Sequence, residues 1–397
     1  MNKSWEKFRL HEICNFEYGK GLPKRNRMLG KYAVYGSSGI IDYHKSYYIK
    51  GPGIIVGRKG SIGTVFYEKH DFFPIDTVFY VKENQNIHDK KYLYYLLKNL
   101  ELKRLDTDAA VPGLNRKAAL SQEIFLPSSL IQKKIASMLS AYDDLIENNN
   151  RRIEILEEIA QIIYKEWFVH FRFPGHEKIK LVDSELGKIP EGWEVKGILD
   201  SVYFHCVDKN ASKYEGKKEY FATANIEGIN IVKKGEWYSF IDKPSRAQKI
   251  PELYSVWYAK MKDSYKVLGF TEVNRSIADR CILSSGFDGF KAEKKYFPFV
   301  YFTIKSRDFH QRKDQYCTGA VQLSLAKKGL KSIKIIVPSE EIILRFCSIT
   351  LPIINQFFVL QIKNDFLTKT RDLLLPKLIS GEINVENLDI KTEDYIK

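Results

Sequence analysis

The chain has 397 residues and is 44% hydrophobic, enough for two domains with their own cores and too much for a disordered protein. Lys and Arg number 63 against 49 Asp and Glu, and this net charge of +14 suits a polyanionic partner, because each neutralised phosphate releases counterions. Five scattered cysteines without a Cys-x-x-Cys pair argue against a zinc site or disulfide framework; with neither an apolar leader nor an unbroken run of 18 apolar residues, a reduced cytoplasmic setting and no membrane are expected.

Residues 1–127 read as a mixed strand-and-loop domain opening at Trp5-Glu6. Gly53–Gly57 and Thr77–Val81 are β-branched and aromatic runs, and Tyr92–Leu102 has helical periodicity. Three stretches carry cations that suit nucleic acid. Lys20, Lys24 and Arg25 interleave with Tyr18 and Gly21; Arg58, Lys59 and Ser61 sit on a Gly-rich turn; Asn115, Arg116 and Lys117 follow Pro112-Gly113-Leu114 into a helix. Arg, Asn, Gln and Ser are able to read base edges, whereas Lys mostly positions the backbone.

Residues 128–170 change to a 3/4 apolar spacing, the seam of a coiled coil: Ile131, Ile135, Met138 and Tyr142, then Ile146, Asn149, Ile153, Leu156, Ala160, Ile163 and Trp167. Two consecutive fours around Tyr142 break the phase, and Asp143-Asp144 suit a helix N-terminus. A short helix is therefore expected to end near Ser140, with a longer one starting just after it. Residues 171–192 read as a polar connector.

Residues 193–338 form a second mixed domain opening at Trp193-Glu194, with Ser245, Arg246, Gln248 and Lys249, and Arg275 and Arg280, as its nucleic-acid candidates. Residues 339–383 form a second helical stretch, expected to break near Leu351 before Pro352 and to close at Gly381, with a possible kink at Pro376. Its seam includes Ile353, Phe357, Leu360, Asn364, Leu367 and Leu374. Packed antiparallel on the first, it would set Asn149 against Asn364, Leu156 against Phe357, Ile153 against Leu360 and Ile146 against Leu367, with the buried asparagines fixing register. Residues 384–397 read as a polar tail.

One module is present twice. Thr107, Ala109, Leu114, Lys117, Ile124, Pro127 and Ser128 recur 211 residues later as Thr318, Ala320, Leu325, Lys328, Ile335, Pro338 and Ser339. The Trp-Glu starts are 188 apart and the ends 211 apart, so the second copy is longer by about 23 residues, and the interiors show little likeness. The fold expected is α+β: two mixed domains separated by two long antiparallel helices, with pseudo-twofold internal repetition.

Catalytic signatures are missing. Arg58 interrupts what would be a phosphate loop at Gly57, no Gly-x-Gly-x-x-Gly follows a strand, no Asn/Asp-Pro-Pro-aromatic motif occurs, and Asp183, Glu185 and Lys188 only weakly echo a nuclease cluster. A nuclease or methyltransferase with an unrecognised site, and a coiled-coil adaptor for other proteins, are the competing readings.

IIVGRKGSIGTVFYEKHDFFPIDTVF, the stretch from AAVPGLNRKAAL to EWFVHFRFPG, LVDSELGKIPEGWEV and LLLPKLISGEI together resemble the specificity subunit of type I restriction-modification systems, over essentially the whole chain. The resemblance implies two target-recognition domains, each reading one half of a bipartite double-stranded DNA site, and helices that set the gap and dock two methyltransferase subunits, with restriction/translocase subunits joining the full complex. S-adenosylmethionine, ATP and Mg would be used by those partners, so no cofactor and no catalysis are expected in this chain. The second copy departs from the pattern where Gln322-Leu323-Ser324-Leu325-Ala326-Lys327 replaces the Pro-Gly-Leu-Asn-Arg-Lys loop.

Overall fold

The computed structural model describes residues 5–84, 87, 89–105, 113–207, 210–319 and 322–392. Thr107, Ala109, Pro112 and Ala320, and the tail beyond residue 392, lie outside the described residues. The chain forms two compact units, Met1–Glu147 with Phe366–Lys397, and Asn148–Asp365.

Each unit is closed by the same frame. In the first, strand Glu6–Arg9 pairs antiparallel with Glu123–Leu126, Glu6 opposite Leu126, and helix Arg116–Leu120 precedes the closing strand. In the second, Glu194–Gly197 pairs with Lys334–Val337, Glu194 opposite Val337, after helix Lys327–Lys331. The helix and closing strand keep the 211-residue offset at both ends. Leu114, Leu325, Ile124 and Ile335 recur because all four are buried in their units' cores.

The interiors, unlike in sequence, share a topology. The first unit has a four-stranded antiparallel sheet in the order Cys14–Tyr18, Val78–Glu83, Gly53–Gly57, Val65–Glu68. The second repeats it as His205–Cys206, Phe287–Lys291, Ser255–Ala259, Val267–Phe270. In each unit another sheet has a strand flanked by one antiparallel and one parallel neighbour: Tyr32–Gly36 between Gly39–His44 and Phe72–Pro74, and Lys218–Phe221 between Glu236–Tyr238 and Cys281–Ser284. Matched strands occur in the same chain order. The second unit adds strand Ala247–Lys249 and hairpin Ile226–Glu227/Asn230–Ile231, where part of its extra length goes. Strand pairing is made by backbone groups and asks only for apolar side chains on the core face, so the topology survives where residue identity does not.

The two helical stretches are not broken as the sequence suggests. Ser129–Phe168 and Glu340–Ile379 are each one helix of 40 residues. The phase change near Tyr142 marks instead a change of partner. Ile131, Ile135 and Leu139 are buried in the first unit's core, and Ile153, Ala160 and Trp167 in the second's. Asp143, inside the helix, accepts from the Tyr95 hydroxyl and pairs with Arg371. Pro352 and Pro376 are tolerated on the exposed side of the helix, where Ser348 and Asp372, whose carbonyls they deprive of an N–H, are exposed as well. An 18-residue window of the second helix has mean hydropathy 1.7, enough for a membrane span by composition, yet Phe346, Ile354, Phe357 and Leu360 are buried in the second unit's core.

Within the second unit the helices run antiparallel. Asn149 Nδ2 donates to Asn364 Oδ1 at 2.9 Å, and Asn364 Nδ2 donates to Asn150 Oδ1 at 2.8 Å, so the seam asparagines meet as their spacing predicts. Ile153, Phe357 and Leu360 share the buried core, with Leu156 packed against it. Ile146 and Leu367, in the first unit, are only half-buried.

The connector is more structured than its composition suggests. Phe173 is buried and stacks on Trp193 at 5.1 Å, and Leu181–Ser184 forms a hairpin with Gly187–Pro190. The tail is anchored over its described part. Val385 enters the first unit's core, Lys134 donates to the carbonyls of Glu386 and Leu388, and Ser137 to that of Lys391.

Candidate nucleic-acid interface

In the first unit two of the three sequence-selected loops meet. The chain turns sharply after strand Gly53–Gly57: a Cβ on Gly57 would lie 2.2 Å from the Ser61 carbonyl oxygen, and Gly60 and Gly63 adopt φ of +77° and +72°. Thr64 Oγ1 ties the turn to the carbonyls of Ser37 and Ser61. The Leu114 amide then donates to the Arg58 carbonyl at 2.9 Å, fastening the second loop to the first. Asn115 caps helix Arg116–Leu120 by accepting from the Ala118 amide.

This places two guanidinium groups against one ring. Arg58 lies 5.3 Å from the centre of Tyr18 and 5.9 Å from that of Phe79, and donates through Nε and Nη2 to the Asp76 carbonyl. Arg116 lies 5.6 Å from the Tyr18 ring and donates to Asn15 Oδ1 at 2.9 Å, with Glu17 4.0 Å away. Both cations are thus held in set directions while Tyr18 remains 53% exposed. Lys59, Ser61 and Lys117 are exposed on the same two loops. Lys20, exposed two residues beyond Tyr18, sits 5.7 Å from the Tyr48 ring, and Lys24 and Arg25 occupy an exposed turn at Lys24–Asn26. The sequence reading selected the arginines but not Tyr18 or Asn15 as site residues. The available signals on strand Cys14–Tyr18 were the alternation of polar Asn15 and Glu17 with buried Cys14 and Phe16, and the aromatic Tyr18, which follows Phe16 on the same face and leaves the core at the strand's end.

In the second unit the selected residues do not converge. Ser245 and Arg246 are exposed beside the added strand Ala247–Lys249, and Gln248 donates to the Ser245 carbonyl. Lys249 is buried, with its ammonium 3.9 Å from Asp288. Arg280 is held at 3.1 Å by Glu219, a carboxylate with a 10% exposed side chain. Arg275 is exposed at the start of helix Arg275–Arg280, while Asn274 before it is buried and bonded to Thr271 and Gly269. Lys249 and Arg280 therefore have internal roles that their charge alone did not disclose.

Among the described residues no group of three or more His, Cys, Asp and Glu side chains is arranged to hold a metal. Burial pushes the thiols of Cys14, Cys281 and Cys347 up to about 12, so they are protonated at neutral pH. Asp183 and Lys188 face each other across the connector hairpin, and Glu185 pairs with Lys334.

Residues 2–158 match the family model described as the type I restriction modification DNA specificity domain. The chain is 31% identical over 319 residues to the type I restriction enzyme MjaIX specificity subunit of Methanocaldococcus jannaschii, covering 75% of this chain and 70% of that relative. The chain belongs to the type I restriction-modification specificity subunits. The HindI specificity subunit of Haemophilus influenzae is 25% identical over 399 residues, covering 79% of this chain and 82% of the relative. The S subunit of a type I restriction-modification system from M. genitalium has a similar fold, with TM-score 0.59 at 17% identity over 96% of this chain and 97% of that one. A specificity subunit is a non-catalytic component of such a system, so its work is recognition and not bond-making.

Proposed function

We propose that each of the two mixed units reads one half of a bipartite double-stranded DNA site. The observation that carries this reading is the duplication itself: one strand order, built twice, with different side chains on its loops. A pair of like scaffolds with unlike contact surfaces suits a target with two unlike halves. In the first unit the contact surface is the Arg58–Tyr18–Arg116 cluster, with Lys59, Ser61, Asn115 and Lys117 on the same loops and Lys20, Lys24 and Arg25 beyond them. Two oriented guanidinium groups suit a guanine edge or phosphates, and exposed lysines suit the backbone.

The long helices set the unspecified gap and dock two methyltransferase subunits in this reading. Asn149, Asn150 and Asn364 give the helix pair a fixed register, which a ruler requires. Ile155, Ile159 and Ile162 form an exposed apolar stripe on one helix face in the second unit, and Phe366 and Leu373 a second on the first unit's part of the other helix. Such stripes suit partner subunits; restriction/translocase subunits would complete the assembly in the cytoplasm.

The test is co-expression with a type I methyltransferase subunit in a host without DNA methylation, followed by long-read sequencing for methyladenine. One bipartite motif, lost when this chain is omitted, is expected. Matched four-residue insertions beside Asn150 and Asn364 add about 6 Å of helix, or about two base pairs, and should lengthen the gap while leaving both halves unchanged. An unchanged gap in an active complex rules out the ruler.

A further inference from the structure

The hydrogen-bond register of the second unit marks a contact site that its charged loops do not. In the first unit the Leu114 amide donates to the Arg58 carbonyl, and the Arg58 amide donates to the Thr77 carbonyl. In the second the Leu325 amide donates to the Lys260 carbonyl at 2.9 Å, and the Lys260 amide to the Gly286 carbonyl at 2.9 Å. Leu114 and Leu325 are repeat counterparts, and the short helices after them start at Arg116 and Lys327. Lys260 therefore stands where Arg58 stands, and Lys327 where Arg116 stands.

Strand pairing gives the same alignment independently. Gly57 pairs with Val78 and Val56 with Phe79; Ala259 pairs with Phe287 and Tyr258 with Asp288. Phe79, whose ring lies beside Arg58, is thus matched by Asp288, 3.7 Å from the Lys260 ammonium. Lys260, Lys327, Asp288, Cys206, Val207 and Tyr258 line one cleft of about 220 Å³. From the buried side Lys249 approaches the same carboxylate at 3.9 Å.

We infer that this cleft, with Lys260 and Lys327 against phosphate and Asp288 against a base edge, is the DNA-contact site of the second unit. A lysine ammonium is a compact point charge suited to phosphate, and a carboxylate accepts from the exocyclic amine of cytosine or adenine in the major groove. Lys249 is a positioning residue that holds Asp288 from within. The inference rests on the reading that each unit reads one half-site, and it moves the second contact surface away from Arg246 and Arg275.

The test uses the full chain with its methyltransferase and reads the methylated motif. Combined Lys260→Ala and Lys327→Ala should relax or weaken the second half of the motif, with the first half unchanged, while combined Arg246→Ala and Arg275→Ala should leave both halves intact. In purified complexes the salt dependence of DNA binding should fall by about one unit of slope for each lysine removed. Asp288→Asn should change the preference at one position of the second half. The opposite pattern, with the arginine pair altering the second half and the lysine pair silent, overturns the inference. Should the alanine variants abolish methylation, Lys260→Arg with Lys327→Arg decides: restored methylation with an altered second half supports the site, and restored methylation of an unaltered motif overturns it. Absence of any bipartite motif with the unaltered chain defeats the half-site reading itself, a different outcome from a motif that ignores the lysines.

Discussion

Where the first unit sets Arg58 beside Phe79, the second sets Lys260 beside Asp288, on strands that pair in the same order. The backbone at the two places is alike to the level of individual hydrogen bonds, and the side-chain chemistry is opposite: a cation against rings in one, a cation against a carboxylate in the other. Side-chain chemistry in this chain thus varies at fixed scaffold positions, which is what the proposed pair of half-site readers requires. It also varies by addition, since among the described residues the second unit alone has strand Ala247–Lys249, which brings Lys249 to the back of that carboxylate.

The contrast can be broken most strongly at Arg280. Removing it leaves the largely buried Glu219 carboxylate without its counter-charge, though the Gly235 amide still donates to it, so Arg280→Ala should destabilise the second unit by about 3 kcal/mol in thermal or denaturant unfolding, with the motif unchanged in whatever complex still folds. A changed motif with unchanged stability would return Arg280 to the DNA surface. Acid should also weaken the second unit. Burial pulls the His310 imidazole down to about 4 from its usual 6.5, so below pH 6.5 the unfolded chain takes up a proton that the folded chain refuses. Stability is lost as pH falls from 6.5 toward 4, by about 2 kcal/mol at pH 5, and His310→Gln should flatten that dependence.

Effects on recognition are smaller in energy and sharper in place. Arg58→Ala should cost about 2 kcal/mol of discrimination in the first half of the motif only, measured by DNA binding with each half scrambled in turn. Equal loss in both halves would contradict separate contact surfaces. Tyr18→Ala, which takes away the ring shared by Arg58 and Arg116, should cost about 1 kcal/mol in binding, and Tyr18→Phe should restore most of it.

What was legible in the sequence follows from the period of each element. The seam asparagines could be paired from spacing alone, because an antiparallel helix pair with one apolar stripe each has few registers that bury both stripes. The frame was legible because Leu114, Ile124 and their counterparts are core residues held to similar side chains. The continuity of the helices was not: a phase change looks the same whether a helix breaks or turns its apolar face to new neighbours, and Pro352 is costly only where its carbonyl partner is shielded from water. Shared interior topology was hidden because a β-ladder constrains pattern more than identity. Lys260 was hidden for a further reason, since it is not 211 residues after Arg58 and its correspondence shows only in backbone hydrogen bonds and strand register.

The frame strands have a consequence of their own. Glu6–Arg9 and Glu123–Leu126 lie side by side, as do Glu194–Gly197 and Lys334–Val337, so each module enters and leaves at one place. Everything between can lengthen, shorten or be replaced without displacing the chain on either side, as the longer second copy illustrates. Genetic crossover at these paired ends would exchange a whole cassette, and a lineage could acquire a new specificity in one recombination event where point mutation would need many.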